Sequence, residues 1–373
     1  MNKKNTTLTS GRIIEFDALR AVSLFSILYA HANSYIPIAD VPYLREILGG
    51  FAYAGLSIFV FLSGFGLYRS LLKKGTHRFD KLDFLKKRLL RIYPLYLVAV
   101  IIYFGLFNFL KIYHPMNLEP VVRSIVFHLM SFQIILFPKV AQMFTIWFIG
   151  IIVPFYILFC LTAELPIKKF IFFNGAIFLS IALLKIVFEL TNIELMDTRL
   201  ILYYPIFIAG CVASNFSEFF YQKRNYLNIA TTLTGLSATV FYCFLKVRGQ
   251  DILPPRLHLT MIDFTSHVYF IIYSFLVTAS LICLSFMLSR YLLKIKPLII
   301  YLSGISYAAY LMHRIIYGLA YFILYNQLDF SKIIGSVLFP FVTIFLFLVS
   351  DWLVKLEDKY LKPSLEWALK KFA

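Results

Sequence analysis

About ten apolar stretches follow one another along the chain, each close to the length needed to cross a bilayer. They cover residues 13–35, 48–72, 89–111, 145–163, 169–190, 199–215, 226–246, 266–290, 298–325 and 332–356. No soluble core needs that much apolar surface: 60% of residues are hydrophobic, 15% are charged and the mean hydropathy is +0.79. In hydrocarbon each spanning segment must satisfy its own backbone N–H and C=O groups, which makes these stretches helices. The expected fold is therefore all-α, a polytopic integral membrane protein with about ten transmembrane helices. A shorter apolar piece at 121–137 holds His128 and Gln133, falls below spanning length, and is expected to be interfacial or re-entrant.

The net charge of +17 could point to nucleic acid, but its distribution excludes that. Lys and Arg lie between the apolar stretches, as membrane topology requires. With the N-terminus in the cytoplasm, the inside loops hold Lys73, Lys74, Arg78, Lys81, Lys86, Lys87, Arg88 and Arg91, then Lys168, Lys169, Lys223, Arg224, Arg290, Lys294 and Lys296. The outside loops carry Asp40, Glu46, Glu119, Glu194, Asp197, Asp251 and Asp263. Both termini are expected in the cytoplasm. The division is a cytoplasmic tail at 1–12, a transmembrane domain at 13–356 and a basic cytoplasmic tail at 357–373, with outer loops at 112–144 and 247–265. The first stretch carries charges and no small-residue cleavage site, so it reads as a retained helix. Cys160, Cys211, Cys243 and Cys283 sit inside apolar segments without C-x-x-C spacing and read as small buried hydrophobes.

The first stretch also carries Asp17, Arg20 and His31. Eleven steps at 100° per residue return Arg20 and His31 to within about 20° of each other, roughly 16 Å apart along the axis. Asp17 is one turn before Arg20 and can pair with it. An Arg near the bilayer centre costs about 2.5–3.5 kcal/mol on insertion scales, so such a stripe faces a bundle interior or a water-filled cavity. His31 alone could be a structural histidine at headgroup level. Its alignment with Arg20 makes it a candidate general base toward a hydroxyl. No second ligand stands at metal spacing on this helix, and no metal is expected.

Other stretches stay open between packing and chemistry. Lys86-Lys87-Arg88-Leu-Leu-Arg91 is an ordinary inside flank, or a place where Arg88 and Arg91, one turn apart, converge on phosphate. Ser63 and its neighbouring glycines suit close helix packing. Trp147 suits an aromatic belt, and Pro154 implies a kink. Tyr310 and His313, one turn apart, are a satisfied polar pair or cavity groups.

Taken in order, these stretches resemble the acyltransferase-3 family of membrane acyltransferases from about Phe16 to Asp351. The likeness rests on FDALRAVSLFSILYAH at 16–31, FVFLSGF at 59–65, KRLLRIYPLY at 87–96, IWFIGIIVPFY at 146–156 and SGISYAAYLMH at 303–313. The resemblance implies transfer of an acyl group, most often acetyl, from cytoplasmic acyl-CoA to a hydroxyl of a surface or lipid-linked glycan, in the cytoplasmic (inner) membrane. It implies that His31 is the catalytic histidine, that Arg20 is its essential partner, and that Arg88 and Arg91, with Lys87, receive the donor. Asp17, Ser63, Trp147, Tyr310 and His313 would line or support the cavity, with Ser63, Tyr310 and His313 as candidate oxyanion donors. No cofactor beyond the acyl-CoA substrate is implied. The expected partners are acyl-CoA, the glycan, membrane lipid and either a second copy or a polysaccharide-assembly complex.

Many members carry a Glu where this chain has Ile152, and the chain resembles the Trp-Phe-Ile subgroup, which leaves acetyl and succinyl transfer both open. The rival classes are a flippase or transporter of glycan precursors, for which an inverted repeat would speak, and a catalytically silent scaffold.

Overall fold

The computed structural model describes residues 12–32, 35, 44–74, 79–109, 125–136, 144–215, 226–247, 261–323 and 332–371. Among the described residues the chain is helical and contains no strand. Its long helices are α1 (Ile14–Ala32), α2 (Leu44–Lys74), α3 (Lys81–Phe109), α4 (Ile149–Thr162), α5 (Ile167–Leu190), α6 (Arg199–Asn215), α7 (Tyr226–Val247), α8 (Met261–Met287), α9 (Lys296–Tyr321) and α10 (Lys332–Leu356). A 3₁₀ turn, Phe144–Phe148, leads into α4, and a π-helical turn, Glu357–Leu361, joins α10 to a last helix, Lys362–Lys371. The expected outer loops and N-terminal tail, and the side chain of Cys243, fall largely outside the described residues.

Six of these helical stretches are long and apolar enough to cross a membrane: Ala54–Lys73, Lys81–Gly105, Ile167–Leu190, Ser266–Met287, Lys296–Tyr321 and Ile334–Leu365. Ile146–Thr162 and Arg199–Asn215 are apolar but shorter. The first helix is 19 residues long but is interrupted by Glu15, Asp17 and Arg20. Its place in the bundle explains why it keeps them. It packs between α2 and α9, with Leu24, Ile27 and Leu28 all but completely buried. Helix α5 shows the opposite pattern: only 17% of its apolar span is buried, against 72% for α9. It turns Phe172, Leu179 and Leu183 outward, as a bilayer-facing helix does.

The small residues of α2 divide by position. A Cβ on Gly64 would lie 2.1 Å from the carbonyl oxygen of Phe207 on α6, and one on Gly210 the same 2.1 Å from that of Phe61 on α2. The two glycines thus let the backbones touch reciprocally, with no side chain there to yield. Gly66 meets nothing within 4 Å. Gly64→Ala or Gly210→Ala is therefore expected to force α2 and α6 apart and to destabilise the fold by at least about 1–3 kcal/mol, the range for overpacked interiors. Thermal unfolding in detergent measures this, with Gly66→Ala as a near-neutral comparison. Equal melting temperatures for the three variants would refute it.

Within 125–136, the described part of the expected re-entrant piece, a helical turn at 125–129 reverses at Ser131 (φ 56°) into a second turn, Gln133–Leu136. His128 and Gln133 are both buried. The Tyr96 hydroxyl donates to the His128 carbonyl at 2.8 Å, and the backbone N–H groups of Met196 and Asp197 donate to the carbonyls of Ile135 and Ile134. These bonds hold the short piece against α3 and the α5–α6 connection, satisfying backbone groups that no long helix satisfies.

Candidate active site

A cavity of ≈ 640 Å³ opens among α1, α2, α3, α4, α9 and the turn that follows α10. Its size falls in the range of small-molecule sites, roughly 300–1,000 Å³. Helical spacing builds the walls. Ser303, Tyr307 and Tyr310 stand at i, i+4 and i+7 on α9, Ile149, Ile152 and Tyr156 at i, i+3 and i+7 on α4, and Arg88 and Arg91 at i, i+3 on α3. Ile152 makes that part of the α4 wall apolar.

Asp17 is the hub of the polar end. It is 1% exposed. Its Oδ1 accepts from Arg20 Nη1 at 2.9 Å and from Ser303 Oγ at 2.7 Å, and its Oδ2 accepts from Arg12 Nε. The expected Asp17–Arg20 pair is thus present, and Ser303 ties it to α9. On the facing wall Ser63 Oγ lies 2.9 Å from Tyr156 Oη, and the Tyr307 hydroxyl donates to the Ile92 carbonyl at 2.9 Å. Among the described residues neither Arg88 nor Arg91 is in an ion pair; Arg88 lies over the Phe84 ring at 5.4 Å. Two guanidinium groups outside any ion pair among the described residues, on one wall of a cavity, make a site for an anion. Lys87 turns away from it, pairs with Asp83 at 2.7 Å and lines a separate small pocket of ≈ 90 Å³ with Arg88.

The two histidines come together one layer from the cavity. The His31 and His313 rings are 5.0 Å apart, and His313 is 6.0 Å from the ring of Tyr310, which lines the cavity. Each imidazole is oriented by a backbone carbonyl of its own helix. His31 Nδ1–H donates to Ile27 O at 2.8 Å, and His313 Nδ1–H donates to Tyr310 O at 2.7 Å. A carbonyl only accepts, so both rings carry their proton on Nδ1 and present Nε2 as the basic nitrogen. In that tautomer His313 has no N–H to offer an oxyanion, whereas Ser63 and Tyr310 are on the cavity wall. Trp147 belongs to another layer: the Arg199 guanidinium sits 4.0 Å over its ring and is held by Asp197 with bonds of 2.8 and 2.5 Å.

Several lining residues were not singled out from the sequence. Arg12, Tyr156 and Ser303 are among them, and so are Glu357, Asp358 and Lys362. The segment after 356, expected to be a basic tail, is helical through Lys371 and closes one side of the cavity. Charge counting along the chain marks it as basic but cannot show that it folds back. Among the described residues no three of His, Cys, Asp and Glu are grouped to hold a metal ion.

Comparison with known protein families matches residues 13–355 to an acyltransferase domain, that of the acyltransferase-3 family. No curated protein and no solved structure matches the chain.

Proposed function

The chain belongs to the acyltransferase-3 family, and on that premise we propose that it is a membrane O-acyltransferase moving an acyl group from cytoplasmic acyl-CoA to a hydroxyl of a surface or lipid-linked glycan. Family membership makes it an acyltransferase, and its apolar helices make it a multi-pass membrane protein. The finer reading adds the topology: about ten spans, both termini in the cytoplasm, in a cytoplasmic (inner) membrane. Lys81 at the start of α3 pairs with Glu164 just after α4 at 3.0 Å, which suits antiparallel neighbours sharing the cytoplasmic face.

The observation that carries the reading is the Arg88–Arg91 wall, outside any ion pair among the described residues, opening on the same cavity as Arg20 and Tyr310. The donor's phosphates bind Arg88 and Arg91. Its arm runs past Arg20 toward Tyr310 and the histidine layer. There His31 Nε2 removes the proton of the acceptor hydroxyl, whose oxygen attacks the thioester carbonyl. The oxyanion formed is met by hydroxyl donors of the Ser63–Tyr156 and Tyr310 kind. Its collapse breaks the C–S bond, the ester stays on the glycan, and the leaving thiolate takes the proton from His31. Acetyl is the first donor group to try and succinyl the second.

The test is purified protein in detergent with acetyl-CoA or succinyl-CoA and acceptor glycan, following thioester loss and the mass gained by the glycan. Arg88→Ala with Arg91→Ala is expected to raise the KM for acyl-CoA by about a hundredfold, at about 1.5–3 kcal/mol per charged hydrogen bond lost. An unchanged KM would remove both arginines from the donor site.

A further inference from the structure

Three carboxylates line the cavity, Asp17, Glu357 and Asp358. Asp17 is occupied by two arginines and Ser303, and Asp358 by Lys362 at 2.7 Å. Glu357 differs from both. It is 4% exposed. Lys362 Nζ stands 3.6 Å from its Oε1, and that oxygen has no hydrogen-bond partner among the described residues. A buried carboxyl oxygen met by a cation only at ion-pair distance, with no hydrogen bond, is incompletely compensated for its desolvation cost. On a cavity wall, that cost is relieved by whatever enters the cavity.

The backbone under Glu357 supports a ligand role. Residues Glu357–Leu361 form a π-helical turn, a widened geometry that concentrates at functional sites. It places Glu357, Asp358 and Lys362 together on the wall. Lys362 is the cation paired with Glu357, and Arg91 and Tyr307 line the same cavity. Tyr307 bonds to the carbonyl of Ile92, so Arg91, Ile92, Tyr307 and Glu357 meet around one part of the cavity lining.

A carboxyl oxygen needs a donor, and ionised phosphates offer none. With phosphates on Arg88 and Arg91, the next part of a coenzyme A-type donor is its pantetheine arm, which carries two amide N–H groups. We propose that Glu357 is a specificity-determining residue for the donor, its Oε1, which faces Lys362 at 3.6 Å and makes no hydrogen bond among the described residues, accepting one from an amide N–H of the pantetheine arm. This rests on the donor reading above. The same carboxylate repels any nucleotide whose phosphate charge continues past Arg91, so the site selects donors whose charge ends there and whose amides begin.

The experiment measures the affinities of coenzyme A and of adenosine 3′,5′-bisphosphate, which lacks the arm, for full-length protein in detergent. Glu357→Leu is expected to weaken coenzyme A about tenfold, or about 1.4 kcal/mol, and to leave the bisphosphate within about twofold, which also reports that the variant is folded. Glu357→Gln keeps an acceptor oxygen and is expected to bind coenzyme A within about threefold of wild type. Equal losses for both ligands in Glu357→Leu would make Glu357 a structural prop and overturn the proposal. A tenfold loss of coenzyme A in Glu357→Gln would overturn it independently, should the leucine variant not fold. Wild-type protein that binds neither ligand would overturn the donor reading itself, and this inference with it.

Discussion

Replacing His31 by alanine is expected to abolish glycan acylation, with a fall in turnover of at least about a thousandfold. General-base catalysis contributes typically about 10²–10⁴-fold, and under the proposed mechanism alanine leaves nothing at position 31 to receive the proton of the acceptor hydroxyl. The geometry makes the role specific. The Nδ1–H bond to Ile27 O, 2.8 Å, sets the tautomer in which Nε2 is the basic nitrogen. Glutamine at 31 fills most of the volume and keeps polarity but has no basic nitrogen, so His31→Gln is expected to be as inactive as His31→Ala. His313, 5.0 Å away and one layer behind Tyr310, is expected to show a smaller loss, on the order of tenfold, because His31 retains its own carbonyl partner. Acylated glycan is measured by mass spectrometry in cells with matched amounts of each variant. Wild-type acylation in His31→Ala would end the proposal, and an active His31→Gln would show that polarity, not basicity, is what position 31 supplies.

Much of this was legible in the sequence, and the boundary is physical. Periodicity states which residues of one helix share a face. It therefore gave the Asp17–Arg20 pair, the Arg88–Arg91 wall and the Tyr310–His313 step directly. It also shows, on closer use, why Lys87 turns elsewhere: it lies about 100° round α3 from Arg88, where Asp83 one turn earlier takes it. Periodicity does not state which helices are neighbours. The meeting of His31 with His313, the bond from Ser303 to Asp17 and the return of Glu357 to the cavity each join residues hundreds of positions apart, and only packing brings them together. Hydropathy takes 13–35 as a span in spite of its charges, yet α1 is absent from the six described stretches long and apolar enough to cross a membrane. The charges themselves belong to the cavity wall, which hydropathy cannot see. Trp147 is the reverse case: a belt residue by sequence, it is covered by Arg199, whose charge is neutralised by Asp197 two positions earlier.

Removing the Asp17 carboxylate is expected to give the other large effect, through Arg20. Asp17→Ala leaves two guanidinium groups and the Ser303 hydroxyl without their acceptor. Breaking a buried pair by deleting one partner costs about 3–5 kcal/mol. Here the low end applies, about 3 kcal/mol, because the side chains of Arg12 and Arg20 are 53% and 34% exposed. A fall in the detergent melting temperature should accompany a loss of activity, since Arg20 is no longer held on the cavity wall. Stability alone would not separate a positioning role from a structural one, but a double-mutant cycle does. If Asp17 acts by holding Arg20, then Arg20→Ala, severe in the wild-type background, should cost little further turnover once Asp17 is alanine. Arg12→Ala, which leaves the Asp17–Arg20 bond in place, should cost far less than either. Additive losses for Asp17→Ala and Arg20→Ala would mean that the two residues act separately, and that the wall of the cavity does not depend on the Asp17–Arg20 pair.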